Sequence, residues 1–282
     1  MYKRHSSITL IVSLIISGII FLEMGLYFVA KIAGWTVQYN LVVVCHSWLR
    51  IIGLSSLGYI LDVLVGYTLI LTIWKIGSQF YHAIRMKKRF KQYRENVLTL
   101  NMNCAYSQGK EVLLVISHPT PVALTMGFIK PKIVLSTGLI NLISDEELEA
   151  VISHEMYHKE NRDPLKIFLM ELCSSTMWYI PILDWCNQKY KIMKELLADE
   201  YAIGKQQTSV HLGSALLKML KVSKYEKMPF SYASFADTSV NYRIGFILDP
   251  LREIQWNLPV KMLLISLAIF SFICSLFIYA LA

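Results

Sequence analysis

Between Val151 and Asp163 the chain reads VISHEMYHKENRD, a stretch whose residue types and spacing can hold a metal ion and activate water. On a helix, residues four apart share one face, so His154 and His158 can aim two imidazole nitrogens at one point. Glu155 stands one residue round from the first and can reach a water held at that point. This H-E-x-x-H spacing suits zinc-dependent hydrolysis with Glu155 as general base. Zinc takes about four ligands near tetrahedral geometry, and a catalytic site keeps one position open, so two histidines need one more protein ligand.

The segment KELLADEYA, Lys194 to Ala202, offers that ligand. It reads as a second helix with Glu195 and Asp199 four apart on one face, which suits a carboxylate ligand backed by another carboxylate. Glu195 is the expected third ligand and Asp199 its partner. Asp163 is a further candidate for support. Hydrolysis at a carbonyl also needs a donor for the oxyanion besides the metal, and Tyr157, Tyr201 and Arg243 are the candidates.

The elements that would hold these residues are legible around them. Ser144-Asp-Glu-Glu147 predicts a capping box, with Ser144 capping the third amide, Glu147 reaching back and the acids favouring the helix dipole. Leu148, Val151, Ile152 and Met156 supply apolar positions at helical spacing, and Pro164 follows as a breaker. Upstream, Glu111–Ile116, Val122–Phe128 and Lys132–Leu135 read as short strands punctuated by Pro119, Pro121, Gly127 and Pro131. The segment Val122–Phe128 is the expected edge that accepts a substrate as an added strand.

Of 282 residues 55% are hydrophobic, more than a soluble domain usually carries. An apolar segment from Ile8 to Ala30 and another from Ile51 to Trp74 each exceed the ~20 residues that cross a bilayer. The first reads as an uncleaved anchor, because it is long for a signal sequence and ends without a small-residue cleavage site. The net charge of +8 is concentrated beside these segments, above all in Arg85 to Arg94. Positive-inside bias explains it better than direct nucleic-acid binding, and it marks the cytoplasmic side. Met86, Phe90 and Tyr93 fall at helical spacing there, predicting an amphipathic helix on anionic headgroups. Five scattered cysteines without a C-x-x-C pair indicate neither a disulfide framework nor a zinc ribbon.

The apolar run Leu165–Leu183 cannot cross the membrane alone, since Glu195 would then emerge opposite His154. It is expected to turn back near Pro181 or to lie as a buried helix, with Glu171 facing protein. Met262–Ala282 is a last apolar span. The expected fold is thus a mainly α membrane protein, with three or four apolar helices around a small α+β zincin-like catalytic region carrying the H-E-x-x-H and E-x-x-x-D helices. Residues 1–80 form an N-terminal membrane region with two transmembrane helices, 81–260 a cytoplasmic zinc metallopeptidase domain, and 261–282 a C-terminal transmembrane helix.

The residues Leu113 to Asp163, with HPTPVALTMGFIKPKIVLS from His118 and SDEELEAVISH from Ser144, resemble the membrane metallopeptidase domain of the BlaR/MecR beta-lactam sensor-transducers. The E-x-x-x-D helix at Glu195–Asp199 resembles theirs too. More distantly the chain is similar to HtpX and the CAAX prenyl proteases. The resemblance implies a bacterial, multi-pass membrane enzyme of gluzincin type. In it His154, His158 and Glu195 hold zinc, Glu155 is the general base and Asp199 supports the site. Arg243-Ile244 resembles a late Arg-Ile pair of the HtpX-like peptidases, which makes Arg243 a support residue. The sensor-transducers continue into a penicillin-binding domain and this sequence stops at Ala282, so direct beta-lactam sensing is not expected; the expected input is a separate sensor subunit, or none. The expected function is a regulatory zinc endopeptidase acting on a protein or peptide substrate, such as a transcriptional repressor or itself. The alternatives are an HtpX-like quality-control protease and a non-catalytic signalling scaffold with structural zinc.

Overall fold

Three short strands and the helices that cover them make up the part of the chain that carries the site. The computed structural model describes residues 2–33, 47, 55–223, 236–249 and 258–281; the loop expected around Trp35 to Trp48, the residues from Ile51 to Leu54 and Ala282 lie outside them, apart from Ser47. The chain divides into two compact units, the first formed by residues 1–6, 81–168 and 189–255, the second by 7–80, 169–188 and 256–282.

In the first unit, β1 (Leu113–Ile116), β2 (Ala123–Met126) and β3 (Lys132–Ser136) form a sheet of order β1-β3-β2, with β1 parallel and β2 antiparallel to β3. Gly127 opens the β2–β3 turn at φ +104°, a conformation that side chains rarely adopt. Helix α3 (Asn96–Ser107), which follows α2 (Ser55–Gln92), closes the β1 edge. Asn103 accepts from the Val112 and Leu113 amides at 2.9 Å each and donates to the Leu113 carbonyl at 2.8 Å, while Thr99 accepts from Val115 N at 3.0 Å. Those side chains satisfy backbone groups that a sheet edge otherwise exposes. The other edge belongs to β2, as the sequence suggests.

Both faces of the sheet are apolar and both are covered, as burial requires. On one side Leu113, Ile133 and Leu135 pack with Leu139 of α4 (Thr137–Leu142) and with Leu148, Val151 and Ile152 of α5 (Asp145–Glu160). On the other, Ile116 and Val134 pack with Phe90, with Met86, Leu124 and Met126 beside them. This corrects the expectation that Met86 and Phe90 lie on lipid headgroups: Phe90, only 2% exposed, covers the sheet, while Lys87, Lys88 and Lys91 face outward.

Gly138, in α4, donates its amide to the His118 carbonyl at 2.9 Å, and a Cβ there would overlap the Pro119 carbonyl. Gly138→Ala is expected to destabilise the protein by about 3 kcal/mol or more, because backbone rather than a flexible side chain must give way. Thermal unfolding in detergent measures this.

In the second unit, α1 (Tyr2–Ala33) and α2 each contain a stretch long and apolar enough to cross a membrane, Tyr2–Leu26 and Asp62–Gln92. Ile11, Ile15, Ile19 and Leu22 are exposed along α1. In α10 (Val260–Leu281), Val260–Ile269 forms a shorter apolar stretch. The run 165–183 is not one helix. α6 (Asp163–Thr176) has 14 residues, about 21 Å at 1.5 Å per residue against ~30 Å of hydrocarbon. The chain turns at 177–180 and Pro181 begins α7 (Pro181–Gln206), a position where its missing amide hydrogen costs nothing. Asn187 of α7 donates to Ser174 Oγ of α6 at 3.2 Å, and Met177, Ile180 and Leu183 pack with Ile20 of α1. Glu171 is exposed, while Met170, Leu172, Cys173 and Ser174 around it are buried.

Candidate active site

Helix α5 is held at its start and along one side. Ser144 Oγ accepts from Glu147 N at 3.4 Å and Glu147 Oε2 accepts from Ser144 N at 2.9 Å, completing the expected capping box. Glu147 also accepts from Ser214 Oγ (2.5 Å) and Lys218 Nζ (2.7 Å), tying the cap to α8 (Val210–Ser223). With its apolar face on the sheet, α5 turns His154, Glu155 and His158 into buried positions at its C-terminal half.

The imidazoles converge through their ε nitrogens, 3.2 Å apart. Glu195, on α7, brings one carboxylate oxygen to each: Oε2 is 3.5 Å from His154 Nε2 and Oε1 is 3.5 Å from His158 Nε2. A tetrahedral ion with bonds of about 2.0–2.1 Å sets neighbouring donors about 3.3–3.4 Å apart, so these separations fit one small ion shared by the three side chains. His154, His158 and Glu195 could therefore hold a metal. The histidines are oriented from behind. His154 Nδ1 is 2.8 Å from Asp199 Oδ1, and His158 Nδ1 is 3.0 Å from Asp163 Oδ2, so a carboxylate stands behind each δ nitrogen while the ε nitrogens converge.

Asp163, the first residue of α6, also receives Lys194 Nζ at 2.9 Å. Arg243, on α9 (Ala236–Leu248), donates from Nε to Asp199 Oδ2 and from Nη2 to Oδ1, each at 2.8 Å, and its Nη1 lies 3.1 Å from Glu195 Oε2. Four carboxylates, Glu155, Asp163, Glu195 and Asp199, thus face two cationic side chains, Lys194 and Arg243. A divalent cation would neutralise the excess of negative charge. The field has the same sign at His154: burial and Arg243 lower its pKa, but the hydrogen bonds it donates to the Asp199 and Glu195 carboxylates outweigh them and it is pushed up to about 9. Proton and metal therefore compete for this nitrogen.

Glu155 is buried on the same helix as the two histidines and does not belong to the donor set. Its Oε2 accepts a hydrogen bond of 2.7 Å from Thr125 Oγ1 of β2, and the same hydroxyl is 3.0 Å from the Glu155 carbonyl. Of the expected support residues, Asp163, Asp199 and Arg243 touch the cluster directly. Tyr201 meets Tyr157, ring centroids 5.7 Å apart, and Tyr157 in turn lies 6.2 Å from the His158 ring. Burial, with Asp163 and Glu200 nearby, pushes the Tyr157 phenol up to about 12, so it stays a donor.

Two participants escape a reading of the sequence, Thr125 and Lys194. The signal for Thr125 is a polar residue alternating with Leu124 and Met126; for Lys194 it is a charge at helical spacing from Tyr190, Leu197 and Tyr201. Asp199→Asn is expected to weaken metal binding about 10- to 100-fold, since an amide can present its NH2 to Nδ1 and shift the imidazole proton onto the ligating nitrogen. Competition against a chromogenic chelator measures the change.

The chain is similar to the regulatory proteins BlaR1 of two bacteria. That of Bacillus licheniformis is 24% identical over 117 residues, 41% of this chain and 19% of the relative; that of Staphylococcus aureus is 24% identical over 195 residues, 67% of this chain and 32% of the relative. Protease HtpX homolog 2 of Methanosarcina mazei is 39% identical over 51 residues, 18% of this chain and 17% of the relative. The chain spans about a third or less of each relative it matches. A family model described as BlaR1 peptidase M56 matches residues 51–247, well over half of the chain, and it is to this family of metallopeptidases that the chain belongs.

Proposed function

We propose that the chain is a membrane-embedded zinc endopeptidase of gluzincin type that hydrolyses peptide bonds of cytoplasmic or membrane proteins in a regulatory role, by cleaving a repressor or itself. The observation that carries this reading is the convergence of two ε nitrogens and one carboxylate at tetrahedral separations, with a second carboxylic side chain, Glu155, buried next to His154 on the same helix. Imidazole and carboxylate donors at these spacings suit zinc, which when bound polarises a carbonyl and acidifies a water.

His154, His158 and Glu195 hold the metal, and Asp199 and Asp163 keep the ligating nitrogens aimed. Glu155 takes a proton from the attacking water and delivers it to the leaving amine. The β2 edge binds the substrate backbone as an added strand, independent of its sequence. Arg243 balances Glu195 and Asp199 and is thereby committed, which favours Tyr157 over it as the oxyanion donor. The basic stretch Arg85–Arg94 after the second apolar helix supports a cytoplasmic catalytic unit with the N-terminus inside. The turn at 177–180 supports a re-entrant hairpin that returns Glu195 to the side of His154. A separate sensor subunit would supply the stimulus, and direct nucleic-acid contact has no part in the proposal.

Comparing the proteomes of cells carrying the native chain and Glu155→Ala tests the reading. Accumulation of one or a few intact regulators supports it. Accumulation of many membrane proteins would instead favour a quality-control protease, an alternative motivated by the match to an HtpX homolog. Unchanged proteomes, with metal bound at unit stoichiometry, would favour a scaffold with structural zinc.

A further inference from the structure

We infer that Thr125 is a positioning residue that couples occupancy of the β2 edge to the orientation of Glu155. The inference rests on the proposed role of Glu155 as general base.

Among the described residues β2 is an outer strand of the sheet, and the backbone of Thr125 lies along it. Ser136 N donates to the Val122 carbonyl at 2.9 Å and Val122 N donates to Ser136 Oγ at 2.8 Å, so both backbone groups of Val122 face β3. In an antiparallel pair this alternates residue by residue; Leu124 and Met126 face β3 as well, and Ala123 and Thr125 point their N–H and C=O away from it. A strand added to β2 would therefore pair with Ala123 and Thr125.

The side chain of the same residue belongs to the site. Thr125 is 6% exposed and donates to Glu155 Oε2 at 2.7 Å, while Glu155 is 8% exposed. A buried carboxylate on a flexible two-carbon arm has several rotamers; the Thr125 hydroxyl, shared between Oε2 at 2.7 Å and the Glu155 carbonyl at 3.0 Å, holds Oε2 against its own backbone and leaves Oε1 for the water. A substrate strand that fixes the Thr125 backbone fixes the hydroxyl, and through it the base. Substrate alignment and base alignment then share one residue, which is the arrangement that orientation-limited proton transfer requires.

The test uses full-length protein in detergent with zinc and fluorescein-labelled casein as an unfolded substrate. Thr125→Val keeps shape and removes the hydroxyl; Thr125→Ser keeps the hydroxyl and removes a methyl group. The valine variant is expected to lose about 10- to 100-fold in kcat with KM within about twofold, and the serine variant to stay within about threefold of wild type. Zinc stoichiometry and, in a Glu155→Gln background, casein binding by fluorescence anisotropy should be the same with and without Thr125→Val. Wild-type kcat in the valine variant, equal losses in the valine and serine variants, or a loss of zinc or casein binding would each overturn the inference. Glu155→Gln that cleaves as well as wild type would instead overturn the assignment of the base, a distinguishable failure.

Discussion

Glu155→Gln is expected to lower casein cleavage by about 10²- to 10⁴-fold, the range that a positioned general base contributes, while leaving the metal bound. The two effects separate because Glu155 stands outside the donor set: the converging atoms are His154 Nε2, His158 Nε2 and the Glu195 carboxylate. Fold should be spared as well. The substituted amide oxygen can still accept from Thr125 Oγ1, so no buried hydroxyl is left unpaired. Zinc content by mass spectrometry and initial cleavage rates, measured on one preparation, check both halves. Full cleavage would remove Glu155 from the chemistry, and loss of zinc would make it part of the metal site.

Arg243→Ala is expected to destabilise the protein by about 3–5 kcal/mol when metal is stripped by chelation, and by clearly less with saturating zinc. The guanidinium grips Asp199 with two hydrogen bonds of 2.8 Å and meets Glu195 at 3.1 Å. Asp199 is fully buried, and breaking a buried pair leaves a charge that neither water nor a partner stabilises. A bound divalent cation restores part of the lost positive charge and stabilises the folded state by mass action. Thermal unfolding of wild type and variant, each with chelator and with zinc, reads the difference. Arg243→Lys keeps the charge without the fork and should fall between them. An equal drop in both conditions would show that Arg243 acts by packing alone.

The local elements were legible because their causes are local. The capping box of α5 lies within four consecutive residues, and the H-E-x-x-H and E-x-x-x-D spacings declare a shared helical face regardless of what that face meets. The turn near Pro181 followed from ring chemistry and from the need to keep Glu195 with His154. Side-chain destinations were less legible wherever a second element decides them. Met86 and Phe90 have the spacing of a membrane-surface helix, yet an uncovered sheet face claims them. Glu171 is apolar-run context in sequence, and only the rotation of α6 decides that it is exposed.

By itself the sequence determined which residue types could hold a metal, the helices that carry them and the apolar segments, since each depends on periodicity, capping or composition within a short window. Tertiary structure alone decided which carboxylate stands behind which histidine, that Arg243 grips Asp199, and that Thr125 reaches Glu155 from an outer strand of the sheet. Those pairings join residues 30 to 44 positions apart in places. They depend on how the sheet, α5, α7 and α9 pack, and no local pattern encodes the distance between two side chains on different elements.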